Sequence, residues 1–344
     1  MILLYASLLA MHPWIPTILT LLAWLYTGAL GGYLLWTGLN LPRPWWLRAL
    51  STVSFWLFLP VLGLPLTIPL VPSLGYGLAV VCGALLFAGH YLWPMIPRRP
   101  LARAAGSDLK VMSANLLKYN VHADEIAETI ATEQADIVAL QELKPEHIRA
   151  IEERLATIYP YRHLYPGEDC EGMGLLSRYP FLSVELHKGE PGTNPTQVAR
   201  VRLPEREAWI VNVHPRIPRF RLRRIMGLPI PYDYDTSERR ADVEAIVRLV
   251  EGLEGDALLL GDLNTTPECA EYRLIPRRWR DAHREAGWGP GLTFPVKAPF
   301  LGVYMPFPLF RLDYIFYTGS WRALHMRTGT MPGSDHRYLI VELH

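Results

Sequence analysis

Acidic residues and lysine are absent from the first 105 residues, which carry only five charged side chains, Arg43, Arg48, Arg98, Arg99 and Arg103, and seven of the eleven tryptophans of the chain. A soluble helical bundle needs a solvated face, and this stretch has nothing to build one from, so its composition is that of a membrane-embedded region. Cysteine is scarce: Cys82, Cys170 and Cys269 are the only three. That excludes a disulfide-built scaffold and zinc-site spacing, and leaves Cys170 and Cys269 able to pair only if the fold brings them together in an oxidising compartment. The apolar Met1–Met11 lacks a basic leading region and a small-residue cleavage site, so it does not have the pattern of a cleaved signal peptide. Basic charge is not in excess in the remainder either. Removing the five arginines from the 34 Lys and Arg leaves 29 against all 33 Asp and Glu, a formal charge of −4. Binding to a phosphate backbone calls for the opposite balance. There is no internal repeat and no low-complexity segment.

What the first region does contain is three apolar stretches, at about Ile15–Trp36, Ser51–Leu70 and Leu74–Trp93. Each has about the ~20 residues a helix needs to cross ~30 Å of hydrocarbon. Trp14, Trp36, Trp45, Trp46 and Trp93 fall at their ends, where indole suits the lipid–water interface. Pro60, Pro65 and Pro69 predict a kink in the second stretch, because each removes a backbone donor. The expected organisation is a membrane region over 1–94, a linker over 95–107 and one domain of ordinary α/β size over 108–344. With three spans, all five arginines lie on one side, and the positive-inside rule makes that side cytoplasmic in a multi-pass protein of the cell membrane.

From Asp108 onward strand-like and helix-like patterns alternate. Strands are expected at Leu109–Ser113, Ala135–Leu140, Gly174–Leu176, Val198–Leu203, Trp209–Val213, Asp256–Leu260, Leu312–Tyr317 and Tyr338–Leu343, and helices at Ala123–Glu133, Pro145–Ile158 and Ser237–Val250. Polar residues able to do chemistry gather where these strands end: Asn115, Glu142, His214, Asp262, Asn264, Asp313, and Asp335 with His336. Ligands of α/β proteins collect at strand ends, so the set points to a shared site, although each residue alone has a bland reading: Asn115, Asp262 and Asn264 as turn formers, Glu142 as a solvated helix neighbour, His214 as a capped strand end and Asp313 as a surface strand residue. The stretch Leu258-Leu259-Leu260-Gly261-Asp262-Leu263-Asn264 is the centre of it. An apolar run ends in one carboxylate and one carboxamide two residues apart, a spacing that points both to one side of a strand.

Lys110-Val111-Met112-Ser113-Ala114-Asn115, Asp136-Ile137-Val138-Ala139-Leu140-Gln141-Glu142, Val211-Asn212-Val213-His214, Gly261-Asp262-Leu263-Asn264, Leu312-Asp313-Tyr314-Ile315 and Ser334-Asp335-His336 together resemble the ordered motif set of the endonuclease/exonuclease/phosphatase superfamily of metal-dependent phosphoesterases. The resemblance covers about residues 108 to 344. It implies a four-layer α/β sandwich, two packed, mostly antiparallel sheets with helices outside, where the residue patterns alone reach only α/β. It further implies Mg²⁺, with Mn²⁺ as a substitute, on Glu142, with Asn115 and Asp335 assisting. Asp262 would position and activate the attacking water, Asn264 would hold a non-bridging oxygen, and His336, oriented by Asp313, would face the scissile phosphate while His214 neutralises charge. One departure is Leu117, where the DNA-repair members carry a carboxylate, so a second metal position loses a ligand. Some bacterial members with a similar front end carry the catalytic domain outside the cytoplasm, against the arginine count.

Two apolar segments adjoin the motifs. Pro215–Pro229 holds Arg216, Arg219, Arg221, Arg223 and Arg224 with no acid, alternating with large apolar residues. This is the pattern of a loop that seats its apolar side chains at a bilayer surface while its guanidinium groups bind lipid phosphate. Pro299–Phe310 is apolar and uncharged, and is either core or lid. The expected function is a membrane-anchored phosphoesterase whose partners are the lipid bilayer and a phosphorylated lipid or lipid-linked substrate. A tethered nuclease and a non-catalytic membrane-docked module are the alternatives.

Overall fold

The structure, a computed structural model, describes residues 14–71, 73–98, 108–188, 193–300 and 303–344. The expectations for Met1–Met11 and for most of the linker lie outside the described residues. The chain divides into two compact units, Met1–Pro94 and Met95–His344.

In the first unit three helices are long and apolar enough to cross a membrane: Trp14–Gly38, Trp45–Leu70 and Leu74–Met95. The first is one continuous helix, α1 (Trp14–Gly38). The second starts earlier than its apolar run suggested, as α2 (Trp45–Phe58), and at its prolines tightens into 3₁₀ turns over Leu59–Leu62 and Leu64–Leu70. Pro60 and Pro65 open those turns, where a missing N–H costs nothing. The third begins as α3 (Leu74–Phe87), with the Ser73 hydroxyl accepting from the Tyr76 N–H at 3.3 Å. Polar groups buried among these helices bond across them: Thr27 Oγ1 donates to the Ala79 carbonyl at 2.8 Å, and Tyr33 to Ser54 at 3.2 Å. Such bonds hold helices together where no hydrophobic gain separates lipid from protein.

The second unit runs β1 (Leu109–Asn115), α4 (Ala123–Glu133), β2 (Ile137–Gln141), α5 (Pro145–Leu155), β3 (Tyr161–Tyr165), β4 (Met173–Ser177), β5 (Phe181–His187), β6 (Thr196–Arg202) and β7 (Glu207–Val213). A hairpin follows, β8 (Arg219–Ile225) and β9 (Leu228–Asp235), then α6 (Ser237–Glu251), β10 (Asp256–Asp262), β11 (Arg280–Asp281) and α7 (Ala282–Ala286). The chain closes with β12 (Ala298–Phe300), β13 (Val303–Met305), β14 (Asp313–Tyr317), β15 (Ala323–Thr330) and β16 (Arg337–Leu343). Two six-stranded sheets result, in the orders β15-β16-β1-β2-β4-β3 and β11-β14-β10-β7-β6-β5. Each is antiparallel except for one central parallel pair, β1 with β2 and β7 with β10. The hairpins β8–β9 and β12–β13 are separate two-stranded ribbons.

Strand parity builds the layers. Leu258 and Leu260 face the core between the sheets, with Val111, Ile137, Ala139, Ile210 and Ile315, while Leu259 between them faces α6 through Val243, Ile246 and Val250. On the other sheet Met112 and Val138 face α4 and α5 through Ile126, Ile130 and Ile151. Central strands are therefore apolar on both faces, and the fold is the expected four-layer sandwich. The same parity places the site. Asn115 follows Ser113 and Val111, Asp262 follows Leu260, and Asp313 precedes Ile315, each two residues from an inward-facing neighbour, so their side chains converge where the two sheets part.

Several strands lacked a sequence pattern. β5 is mostly exposed and β15 is partly polar, so their alternation is weak. The Arg216–Arg224 segment, expected as a loop, is in large part strand β8, paired along its whole length with β9.

A buried ion pair supports the end of β14. The Arg311 guanidinium contacts Asp281 at 2.5 Å, and Asp281 also accepts from the Tyr272 hydroxyl at 2.7 Å and the His283 N–H at 3.0 Å. Burial works to raise the Asp281 carboxyl, but Arg311 beside it holds it far below the ordinary carboxylate range. A depressed folded value contributes stability that is complete above about pH 4, the unfolded value, and is lost as pH falls toward the folded one. Arg311→Met, which strands the Asp281 charge, is expected to cost about 3–5 kcal/mol at neutral pH, read by denaturant titration. The deficit should shrink in acid; a loss independent of pH would sink this account.

Candidate active site

Cα register sets two carboxylates against each other: Asp262 of β10 pairs directly with Asp313 of β14. Both are buried. Like charges so placed repel, and His336 relieves the repulsion by facing both, with Nδ1 2.9 Å from Asp313 Oδ2 and Nε2 3.7 Å from Asp262 Oδ2. Asp262, Asp313 and His336 present ligand atoms within 4.8 Å of one another. The His336 backbone N–H bonds to Ser334 Oγ at 3.0 Å, and that hydroxyl donates to the Asn115 carbonyl at 2.8 Å. Phe294 lies against the imidazole at 4.7 Å between centroids.

On the neighbouring sheet the Asn115 amide donates to Glu142 Oε1 at 3.0 Å and to Asp262 Oδ2 at 3.2 Å. The Lys118 N–H donates to Glu142 Oε2 at 2.8 Å. His214 Nε2 sits 3.7 Å from Glu142 and 3.6 Å from Asp262, its Nδ1 faces the Cys170 carbonyl at 3.1 Å, and the Asn194 amide donates to the His214 carbonyl at 2.8 Å. The Asn264 N–H caps Asp262 Oδ1 at 2.8 Å, and its amide donates to the Pro215 carbonyl at 2.9 Å. Asn115, Glu142, His214, Asp262, Asn264, Asp313 and His336 thus form one connected cluster. Asp335 borders it: its charge is felt by His336, and that of Glu142 by Asp335.

The backbone at this point leaves the ordinary regions. Glu142 and Asn264 have φ of 57° and 49°, and Gly261 has φ 143°. A Cβ on Gly261 would lie 1.9 Å from the Val213 carbonyl oxygen, so only glycine lets β10 press against β7 one residue before Asp262. Strained turns at two side chains of the cluster are the kind of conformation a surrounding fold must impose.

Electrostatics split the cluster. Burial would lower the His336 imidazole, but Asp313 and Asp262 raise it to about 10. Burial pushes Asp262 up to about 6 against the pull of His336, with Asp313 adding to the rise. Burial also works to raise Glu142, yet the His214 ring, the Lys118 N–H and the Asn115 amide hold it below the usual carboxylate range. Glu142 is thus biased toward its ionised form, Asp262 toward holding a proton and His336 toward its charged form.

Three supports carry no role expected from the sequence, although Gln141 and Asn212 lie inside its motifs. Arg239 of α6 is buried, pairs with Glu271 at 3.2 Å and donates to the Asn264 carbonyl, fixing that left-handed turn. Its position on the same helical stripe as Val243, Ile246 and Val250 marks it as inward-facing. Asn194 steadies His214. Gln141, Asn212 and Gln197 form a chain of buried amides behind the cluster, with Gln141 donating to Asn212 at 2.7 Å and Asn212 to Gln197 at 3.3 Å.

The five arginines separate. Arg216 is clamped by Asp242, with guanidinium bonds of 2.9 and 2.8 Å, and by its own N–H at 3.0 Å, so it anchors the root of the hairpin to α6. Arg219 faces Glu238 at 3.5 Å, and Arg221 pairs with Asp235. Arg223 and Arg224 have no ion-pair partner among the described residues. In the second apolar segment Phe310 is buried, while Tyr304 and Phe307 are exposed. Cys170 and Cys269 are not joined in a disulfide, and Cys269 is buried with its Sγ 3.3 Å from the Thr266 hydroxyl.

Residues 112–336 match the family model described as Endonuclease/Exonuclease/phosphatase family. No curated protein matches the sequence. Among solved structures, D. rerio TDP2 complexed with single strand DNA product is similar, with TM-score 0.54 and 18% identity over 69% of this chain and 98% of that one. Truncated Caenorhabditis elegans TDP2 has TM-score 0.52 and 17% identity over 68% and 96%. An endonuclease/exonuclease/phosphatase from Beutenbergia cavernae has TM-score 0.52 and 19% identity over 69% and 71%. At these identities the likeness is one of fold.

The raised His336 value lies above the ~6.5 of a free imidazole, so its contribution to stability is full below about pH 6.5 and lost as pH rises through about 10. Asp313→Asn is expected to release the His336 proton at lower pH in metal-free protein, followed by imidazole NMR, and to cut turnover ~10²–10⁴-fold. An unchanged titration would show that Asp313 does not set the state of His336.

Proposed function

Since the chain belongs to the endonuclease/exonuclease/phosphatase family and is a metal-dependent hydrolase of phosphoester bonds, we propose that it works as a multi-pass protein of the cell membrane, on a phosphorylated lipid or lipid-linked (pyro)phosphate. The observation that carries this is the presence, in the same chain as the catalytic cluster, of three helices long and apolar enough to span a bilayer. A soluble substrate gains nothing from an anchor, whereas a lipid substrate is held within a linker's length of the site, which raises its effective concentration.

The donor set suits Mg²⁺, with Mn²⁺ as a substitute. Glu142, a mostly buried carboxylate held below the usual range, is the hard oxygen donor that would hold a cation keeping several waters, with Asp335 near enough to feel its charge. The Asn115 amide orients Glu142 by donating to Oε1, while its own oxygen accepts from the Leu117 N–H at 3.0 Å. When bound, the ion supplies Lewis-acid stabilisation to an in-line displacement at phosphorus. The remaining work belongs to the side chains. Asp262, whose burial raises its affinity for a proton, orients a water and accepts its proton. His336, protonated and fixed by Asp313, places positive charge against the phosphoryl oxygens, and His214 does so from the Glu142 side. Asn264 has one amide hydrogen committed to Pro215 and one left for a non-bridging oxygen.

A second reading, a tethered nuclease, is favoured by the similarity to a TDP2 structure that contains a single strand DNA product. Against it stands the formal −4 beyond residue 105.

Purified full-length protein with Mg²⁺ is expected to release phosphate or phosphoalcohol from lipid in vesicles, and to leave single-stranded DNA intact. Glu142→Gln should lose most activity and recover in part with raised Mg²⁺, whereas Asp262→Asn should lose ~10²–10⁴-fold at any Mg²⁺. Full turnover in chelator would remove the metal from the account. DNA cleavage without lipid hydrolysis would put the nuclease reading first.

A further inference from the structure

The β8–β9 hairpin is divided along its length. Its base is neutralised internally, with Arg219 on Glu238 and Arg221 on Asp235 and Asp233, and Phe220 lies against Tyr234 at 4.7 Å. Its outer half, Leu222 to Pro231, contains Arg223 and Arg224, no acid, and otherwise only apolar residues and glycine. Every large apolar side chain there stands in solvent: Met226 is 98% exposed, Leu228 64%, Leu222 56%, Ile225 49% and Ile230 41%. Met226 and Gly227 form the turn with φ of 51° and 81°, the left-handed pair of a tight two-residue hairpin, so the tip is built and not a slack loop.

Water is a poor solvent for such a tip, and a contiguous apolar patch rimmed by charge marks a binding surface. A second copy of the chain pairing along β9 is disfavoured, because Pro229 and Pro231 remove donors from that strand. The charge pattern selects the occupant: two guanidinium groups without an ion-pair partner among the described residues, set directly behind an apolar tip, match an anionic lipid surface, with acyl chains to receive the tip and phosphates to meet the arginines.

We propose that the β8–β9 tip, Ile225-Met226-Gly227-Leu228, inserts into the interfacial zone of an anionic bilayer, with Arg223 and Arg224 bound to headgroup phosphate and Arg216, Arg219 and Arg221 serving to hold the hairpin in shape. The root is fixed to the active site, since the Asn264 amide bonds to the Pro215 carbonyl and Arg216 is clamped to α6 through Asp242. Docking therefore presents the catalytic cluster to the headgroup layer. The insertion stands apart from the lipid-substrate reading; only its catalytic consequence rests on that reading.

The test uses full-length protein in vesicles of phosphatidylglycerol and phosphatidylcholine, with Met226→Cys carrying an environment-sensitive fluorophore in a Cys82→Ser, Cys170→Ser background. Blue-shifted emission, quenched by lipids labelled at a shallow depth and weakened at least several-fold by Arg223→Gln with Arg224→Gln or by pure phosphatidylcholine, is the expected result. Water-like emission in anionic vesicles, from protein that still hydrolyses a short soluble phosphoester, would overturn the proposal. An emission shift that depends on protein density and not on lipid charge would identify a second copy as the occupant and overturn it equally. Met226→Asp should lower hydrolysis of vesicle lipid at least tenfold relative to the soluble phosphoester. If neither variant nor parent acts on lipid, the substrate reading fails, while the fluorophore still decides docking.

Discussion

Two carboxylates facing each other across one register pair, Asp262 and Asp313, set the terms for everything around them. Such a pair is unstable in a buried place unless positive charge lies between its members. His336 supplies that charge, and its chain segment is held in place from the other sheet through Ser334 and the Asn115 carbonyl. Asn115 in turn bonds to both Glu142 and Asp262. The sheets are thus joined at their open end by a charged lattice, as they are joined below it by the apolar core. Loss of one member would leave the others buried and unbalanced, so chemistry and fold share the same contacts.

Parity links this lattice to the rest of the sandwich. The inward positions of β1, β10 and β14 carry apolar residues through the core and polar ones at the rim, without any change in strand direction. What does change is the backbone just past the strands, where Glu142 and Asn264 take left-handed conformations. Buried Arg239 stabilises the second of these through the Asn264 carbonyl. In this way α6, which packs on the face of the sheet away from the core, contributes to the geometry of the rim.

Central strands and the residues at their ends were legible in the sequence because burial on both faces leaves a run such as Leu258-Leu259-Leu260, and because Gly261-Asp262-Leu263-Asn264 keeps a fixed spacing. Strands β5 and β15 were not, since a partly exposed or polar strand has no strong alternation to display. The arginine segment was legible in composition but not in partnership. Arg216, Arg219 and Arg221 look alike in the sequence to Arg223 and Arg224; only the placement of Asp242, Glu238 and Asp235 beside them separates clamps from arginines with no ion-pair partner among the described residues. Arg239 was missed because a lone arginine on an amphipathic helix is ordinarily solvated, and its partner Glu271 is distant in sequence.

The amide chain behind the cluster has a consequence for how this protein can vary. Asn212 donates to the carbonyls of Leu140 and Gly174 as well as to Gln197, Gln197 donates onward to His163, and Gln141 donates to Asn212. Each amide is oriented by the next, and all three are wholly enclosed. Replacing one of them with an apolar residue strands its neighbours without partners, and exchanging all three still removes the bonds to Leu140, Gly174 and His163. A designer who wishes to repack the sandwich beneath the site therefore has to treat positions 141, 197 and 212 together with the groups they satisfy.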